Sequence, residues 1–136
     1  MEMVEYRRLT PADTHIITMD YDTETLERFL RNPDNYLFAG IAGGRVVAWL
    51  YGYGLLRPDG RSMFYIHSVD VVPERQGMGI GTELMAFTLA ALREEKKYYK
   101  VFVLAEPDNE RACRLYRKVA AREEQLLFSK RLDAET

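Results

Sequence analysis

The chain has a single cysteine, Cys113, in 136 residues, so it can form no internal disulfide and no thiolate metal site. Histidine is nearly as scarce: His15 and His67 are too few and too scattered for a zinc motif. No apolar run approaches the length of a membrane-spanning helix, and the start, Met-Glu-Met-Val-Glu-Tyr-Arg-Arg, lacks the basic-then-apolar order of a secretory leader. Neither sign of charge prevails, because 19 basic against 21 acidic residues leave −2, which gives no footing for general nucleic-acid binding. Repeats, linkers and low-complexity stretches are missing too. With 47% apolar and 29% charged residues, the length suits one domain, residues 1–136, with a genuine core. These absences predict a cytoplasmic, metal-free protein with no nucleic-acid or membrane partner.

What the chain does have is glycine at one critical place, in Arg75-Gln76-Gly77-Met78-Gly79-Ile80-Gly81-Thr82. The run sits between a strand-like stretch ending at Pro73 and an amphipathic stretch beginning near Thr82. Glycines leave backbone N–H groups uncovered, and a helix start adds free amides and a positive dipole end, a combination that cradles phosphate. A Walker loop is excluded, since Gly81 is followed by Thr82-Glu83 with no lysine; the dinucleotide pattern is excluded by the alternating glycines and their place past mid-chain. A tight strand-to-helix turn is the plain alternative. Arg75 and Gln76, both good donors to phosphate oxygens, favour the phosphate reading.

Hydrophobic spacing predicts the rest. Val4–Leu9 reads as a strand; Pro11–Met19 and Thr23–Leu30 as short helices; Tyr36–Ala42, Arg45–Leu55 and Met63–Val72 as strands joined by tight turns at Gly43-Gly44 and Arg57–Gly60. Thr82–Lys97 is a helix, Val101–Ala105 a strand, Asn109–Val119 a helix carrying Ala112, Leu115, Tyr116 and Val119 on one stripe, and Gln125–Leu132 a closing strand. The fold class is therefore α/β (α+β): an antiparallel meander, then a right-handed parallel strand–helix–strand crossover, in a mixed sheet with helices on both faces.

The residues resemble those of the GNAT superfamily of N-acetyltransferases. Gln76-Gly77-Met78-Gly79-Ile80-Gly81 matches its phosphate motif, Val69-Asp70-Val71-Val72-Pro73 its preceding strand, and Asn109 through Tyr116 its N-x-x-A-x-x-x-Y element. The usual Gly-Phe after the tyrosine helix is Ala120-Ala121 here. Within that superfamily the chain looks most like the gentamicin-type aminoglycoside 3-N-acetyltransferases. The similarity lies in Phe29-Leu30-Arg31, Phe102–Ala105, Leu115–Lys118 and Arg122–Glu124; Ser68 stands where those enzymes commonly carry aspartate. The resemblance implies acetyl-CoA as co-substrate, no metal, and transfer of acetyl to an amine of an aminoglycoside or similar small polyamine. Protein acetylation and a non-catalytic acyl-CoA-binding module are the alternatives.

On that implication each residue has a task. The amides of Gly77, Met78, Gly79, Ile80, Gly81 and Thr82, with Gln76, would hold the diphosphate. The backbone of Val69, Asp70 and Val71 would hold the pantetheine arm and the developing oxyanion. Asn109 is both a helix cap and a pantetheine partner. Tyr116 would give its proton to the departing thiolate, and His67, Glu106 and Asp70 compete for the general base. Asp20 and Asp22 begin an acidic stretch suited to a cationic substrate, or simply to a helix start. The expected partners are a small cationic amine and, in a homodimer, a second copy of the chain.

Overall fold

The computed structural model describes residues 3–17 and 19–133. Valine and aromatic residues concentrate in the first half, where they build four antiparallel strands in chain order: β1 (Glu5–Arg8), β2 (Asn35–Ala42), β3 (Arg45–Leu56) and β4 (Ser62–Val71). A fifth, β5 (Tyr98–Val103), pairs parallel to β4, which makes the sheet mixed. Three α-helices accompany it: α1 (Thr23–Arg31), α2 (Ile80–Glu95) and α3 (Glu110–Arg117). The meander and the crossover agree with the sequence pattern, with element ends shifted by up to three residues.

The two faces of the sheet carry separate cores. On one, α2 packs Leu84, Met85 and Leu92 against Phe38, Leu50 and Phe64. On the other, Leu26 and Leu30 of α1 meet Leu37, Ala39 and Val46. Leu84 is fully buried, so its truncation to alanine should cost roughly 2–5 kcal/mol. The first short helix is a 3-10 turn, Pro11–Ile16, rather than a helix reaching Met19. Thr10 and Asp13 close a capping box over it, and Ile17 is already extended.

Two irregularities in β4 shape everything downstream. Opposite β3, Tyr51 pairs with Ser68 and Gly52 with Ile66, so His67 is skipped. This bulge explains why Ile66 and Val69, three residues apart, both pack into the α2 core. It turns His67, Ser68 and Asp70 together onto the α1 face. Gly52 is required here, because a Cβ would run into the carbonyl oxygen of Tyr65. The second irregularity is a splay: β5 accompanies β4 only over Ser62–Ile66 and then leaves it.

The expected closing strand Gln125–Leu132 does not form. From Ala121 to Arg131 the backbone makes neither helix nor strand, and Leu126, Leu127, Phe128 and Leu132 are exposed. Alternating hydrophobicity gives a segment the capacity to be a strand; only a neighbouring edge makes it one.

Candidate active site

A cavity of about 670 Å³ opens between the end of β4, the glycine loop, the start of α2 and one side of α3. Gly77 and Gly79 have φ of 80° and 84°, a region that side chains with a Cβ rarely adopt. Gly79 is the N-cap of α2 and no side chain caps that end, so the first amides of the helix are left to face the cavity. The one acid in this first turn, Glu83, is engaged elsewhere, accepting a hydrogen bond from the Tyr6 hydroxyl at 2.9 Å. Gly81 differs from the other two: a Cβ there would sit 3.6 Å from Val71 and 3.7 Å from Leu115, ordinary contacts.

Cations complete the cradle. Arg75, Arg111, Arg114 and Lys118 line the cavity, against the single carboxylate of Asp70. Lys118 Nζ donates to Thr82 Oγ1 at 3.4 Å, leaving the Thr82 hydroxyl hydrogen available to an anion. Gln76 lines the cavity too, and its Nε2 donates to the Val71 carbonyl at 3.0 Å, which ties the loop to β4. Met78 is exposed outside the cavity, and Ile80 is a core residue whose side chain is buried. Asn109 caps α3, its Oδ1 accepting from Ala112 N at 3.1 Å, and also borders the cavity.

Past the splay, alternate backbone groups of β4 face the gap. Val72 N–H donates to the Val47 carbonyl at 2.9 Å, so its neighbours Val71 and, two back, Val69 point away from β3 and into the opening. Asp70 lies opposite Trp49 and turns its backbone toward β3 instead. Its side chain accepts from Ser68 Oγ at 2.8 Å through Oδ2. Tyr116 reaches the same cavity from α3, its phenol pushed above the usual tyrosine value by burial first and by the charge of Asp70 second.

A second cavity, of about 290 Å³, lies on the α1 side. Asp20 and Asp22 stand at its lip; Tyr21, Phe29, Tyr51 and Tyr53 supply ring surface. Asp22 is also the N-cap of α1, its Oδ2 accepting from Thr25 N at 3.0 Å and from Thr25 Oγ1 at 2.7 Å; these bonds hold its carboxyl below the usual range. Tyr21 is held above the usual tyrosine value by burial first and by Tyr51 next, with the charge of Asp70 the smallest contribution.

Two expected residues fall elsewhere. His67 reaches the α1 face, yet its ring is taken up by Tyr51, Tyr53 and Tyr65, with Nδ1 3.2 Å from the Tyr53 hydroxyl, and it lines neither cavity. Glu106 was expected to end the fifth strand, but β5 stops at Val103 and Glu106 lies in the exposed loop beyond, also outside both cavities. The sequence reading missed Arg111, Arg114 and Lys118. Their spacing of i, i+3 and i+7 on α3 is a basic face beside the apolar stripe and was there to be read. It also missed the rings of the second cavity, which come from the segment before α1, from α1 and from β3 and meet only through folding.

Residues 3–121 match the model of the acetyltransferase (GNAT) family. Among solved structures, an aminoglycoside acetyltransferase from an uncultured soil metagenomic sample, in complex with trehalose, superposes with a TM-score of 0.82 at 24% identity, covering 96% of this chain and 97% of that one. A ribosomal-protein-alanine N-acetyltransferase from Brucella melitensis biovar Abortus 2308 gives 0.77 at 21% identity, covering 96% and 99%. An aminoglycoside N-acetyltransferase in complex with CoA gives 0.77 at 12% identity, covering 97% of each chain. At these identities the likeness is one of fold. No curated protein sequence matches the chain.

Proposed function

The chain belongs to the acetyltransferase (GNAT) family, which uses acetyl-CoA, and from that premise we propose that it transfers acetyl to an amine of an aminoglycoside or similar small polyamine. The observation that carries this reading is the larger cavity, where left-handed glycines, the uncapped start of α2 and four cations meet Asp70 and Tyr116.

The larger cavity fits coenzyme A. Its unstoppered helix start, two left-handed glycines and four cations suit a ligand with a diphosphate and a further phosphate. Acetyl-CoA, when bound, supplies an acetyl group at a thioester carbonyl that an amine attacks. Gly77, Gly79, Gly81 and Thr82 would hold the diphosphate, Arg111, Arg114 and Lys118 the remaining charge. Val69 and Val71 would hold the amide arm as a neighbouring strand does, with one of their N–H groups toward the carbonyl oxygen. Asp70 takes the proton of the acceptor ammonium, with Ser68 holding one of its oxygens and leaving the other to the substrate. Tyr116 gives its proton to the departing thiolate; its raised pKa keeps that proton in place until it is needed.

The acceptor reading rests on Asp20 and Asp22 at the lip of the second cavity and on the fold shared with aminoglycoside acetyltransferases. The resemblance to the gentamicin-type 3-N-acetyltransferases makes gentamicin-like compounds the first to try. A second reading, acetylation of a protein amino terminus, is favoured by the ring surfaces of Phe29, Tyr51 and Tyr53, which suit an apolar side chain. We place the reaction in the cytoplasm. The test is free-thiol release from acetyl-CoA with aminoglycosides, polyamines and peptides side by side. The proposal expects the aminoglycosides to lead; release with peptides alone would hand the site to the second reading.

A further inference from the structure

The walls of the smaller cavity have a definite geometry. Phe29 of α1 and Tyr51 and Tyr53 of β3 stand nearly at right angles to one another. Their ring centroids are 5.9 Å apart at 90° for Phe29 and Tyr51, 6.0 Å at 71° for Phe29 and Tyr53, and 6.3 Å at 82° for Tyr51 and Tyr53. Three planes so disposed make the corner of a box, and Tyr21 adds a fourth ring to the same cavity. The Tyr53 hydroxyl lies 3.2 Å from His67 Nδ1, and His67 lines neither cavity, so this wall is held in place from outside the box.

Charge has one sign here. Asp20 and Asp22 stand at the lip, and among the described residues no lysine, arginine or histidine lines the cavity. The face of an aromatic ring carries negative charge density, so a corner of rings beside two carboxylates attracts a cation. The kind of cation follows from what the rings lack. A primary ammonium brings three N–H donors, and ring faces replace their bonds to water poorly. A methylated ammonium has fewer such donors or none, and its methyl groups carry the charge directly against the rings.

We propose that this corner holds an N-methylated ammonium of the acceptor, a handle distinct from the amine that is acetylated. The inference rests on the proposed transfer to a small polyamine and narrows it to acceptors with a methylated nitrogen as well as a primary amine. The position of the box suits two-point binding. Tyr51 lies opposite Ser68, whose hydroxyl bonds Asp70, so the box is one strand away from the carboxylate assigned to the reacting amine.

Three small ligands separate charge from shape. Choline, ethanolamine and 3,3-dimethylbutan-1-ol share a two-carbon alcohol and differ at its end: charged and methylated, charged alone, methylated alone. Titrated into the full chain by calorimetry without acetyl-CoA, choline should bind at least about tenfold more tightly than either of the others. Tyr53→Leu should abolish that preference with far-UV circular dichroism unchanged, and Phe29→Leu should do the same. Tyr53→Phe keeps the ring face and should keep the preference. Parity of choline with ethanolamine would mean that the carboxylates act alone, and parity with the neutral alcohol that the corner is merely apolar. Either overturns the proposal, as does a preference that survives both leucines. Choline bound while no aminoglycoside is acetylated would support the box and overturn the function proposed above; aminoglycosides acetylated with no choline bound would do the reverse.

Discussion

The two cavities share no lining residue and are built from different materials. The larger is made of backbone amides and cations: glycines with φ near 80°, an uncapped helix start, and the basic side of α3. The smaller is made of rings and two carboxylates. A cavity read by backbone needs few particular side chains, so its ligand class can be recognised from a short motif. A cavity read by side chains from separate elements is free to change acceptor without disturbing the other. On the proposed function, specificity would lie in the α1–β3 surface and coenzyme A binding in the loop, and substitutions can separate the two.

The largest effect should come from Gly79→Asp. It puts a Cβ at a φ of 84° and a carboxylate where the diphosphate belongs. Coenzyme A affinity should fall by at least about 100-fold, seen as loss of the ligand-induced rise in melting temperature. Gly81→Ala is the control, because its Cβ fits; affinity should stay within about threefold. Wild-type affinity in Gly79→Asp would mean that the loop is merely a tight turn.

Tyr116→Phe should lower kcat by about 100-fold while coenzyme A affinity is kept. The raised pKa of the phenol has a sign to check. An acid works while protonated, so the alkaline fall in kcat that depends on Tyr116 should come above the ordinary tyrosine value and should vanish in Tyr116→Phe. Unchanged kcat in the variant would return Tyr116 to a packing role.

Smaller effects should distinguish charge from shape. Arg114→Gln with Lys118→Gln should weaken coenzyme A about tenfold and flatten its salt dependence, leaving acceptor KM unmoved. Asp20→Asn with Asp22→Asn should raise acceptor KM a few-fold at low salt and less at high salt, with kcat constant. Asparagine is also a good N-cap, so the melting temperature should hold, and a KM effect would report charge alone. No change in KM would leave Asp22 as the cap of α1 and nothing more.

The glycine turn into α2, the Asn109 cap and the place of Tyr116 on α3 were legible because their spacing is local: each follows from one turn or one helix. The meander was legible for the same reason, since its strands are joined by short turns. His67 shows where locality ends. Its face depends on a single skipped residue opposite Tyr51 and Gly52, and a one-residue slip inverts every side chain beyond it. Glu106 was misplaced by a strand boundary that moved two residues. The tail reading failed for another reason: Gln125–Leu132 has the period of a strand, but pairing is a property of the edge it meets. Phe29, Tyr51 and Tyr53 gather only when α1 closes over β3.

The parting of β4 from β5 leaves a timing signature in the amide hydrogens. Val72 is bonded to Val47 and Asp70 lies opposite Trp49, whereas Val69 and Val71 turn outward. Neighbouring hydrogens of one strand should therefore exchange with deuterium in alternation, slow at 70 and 72 and fast at 69 and 71. Coenzyme A should slow only the fast pair, so the record along four residues would show which side of the strand the ligand occupies.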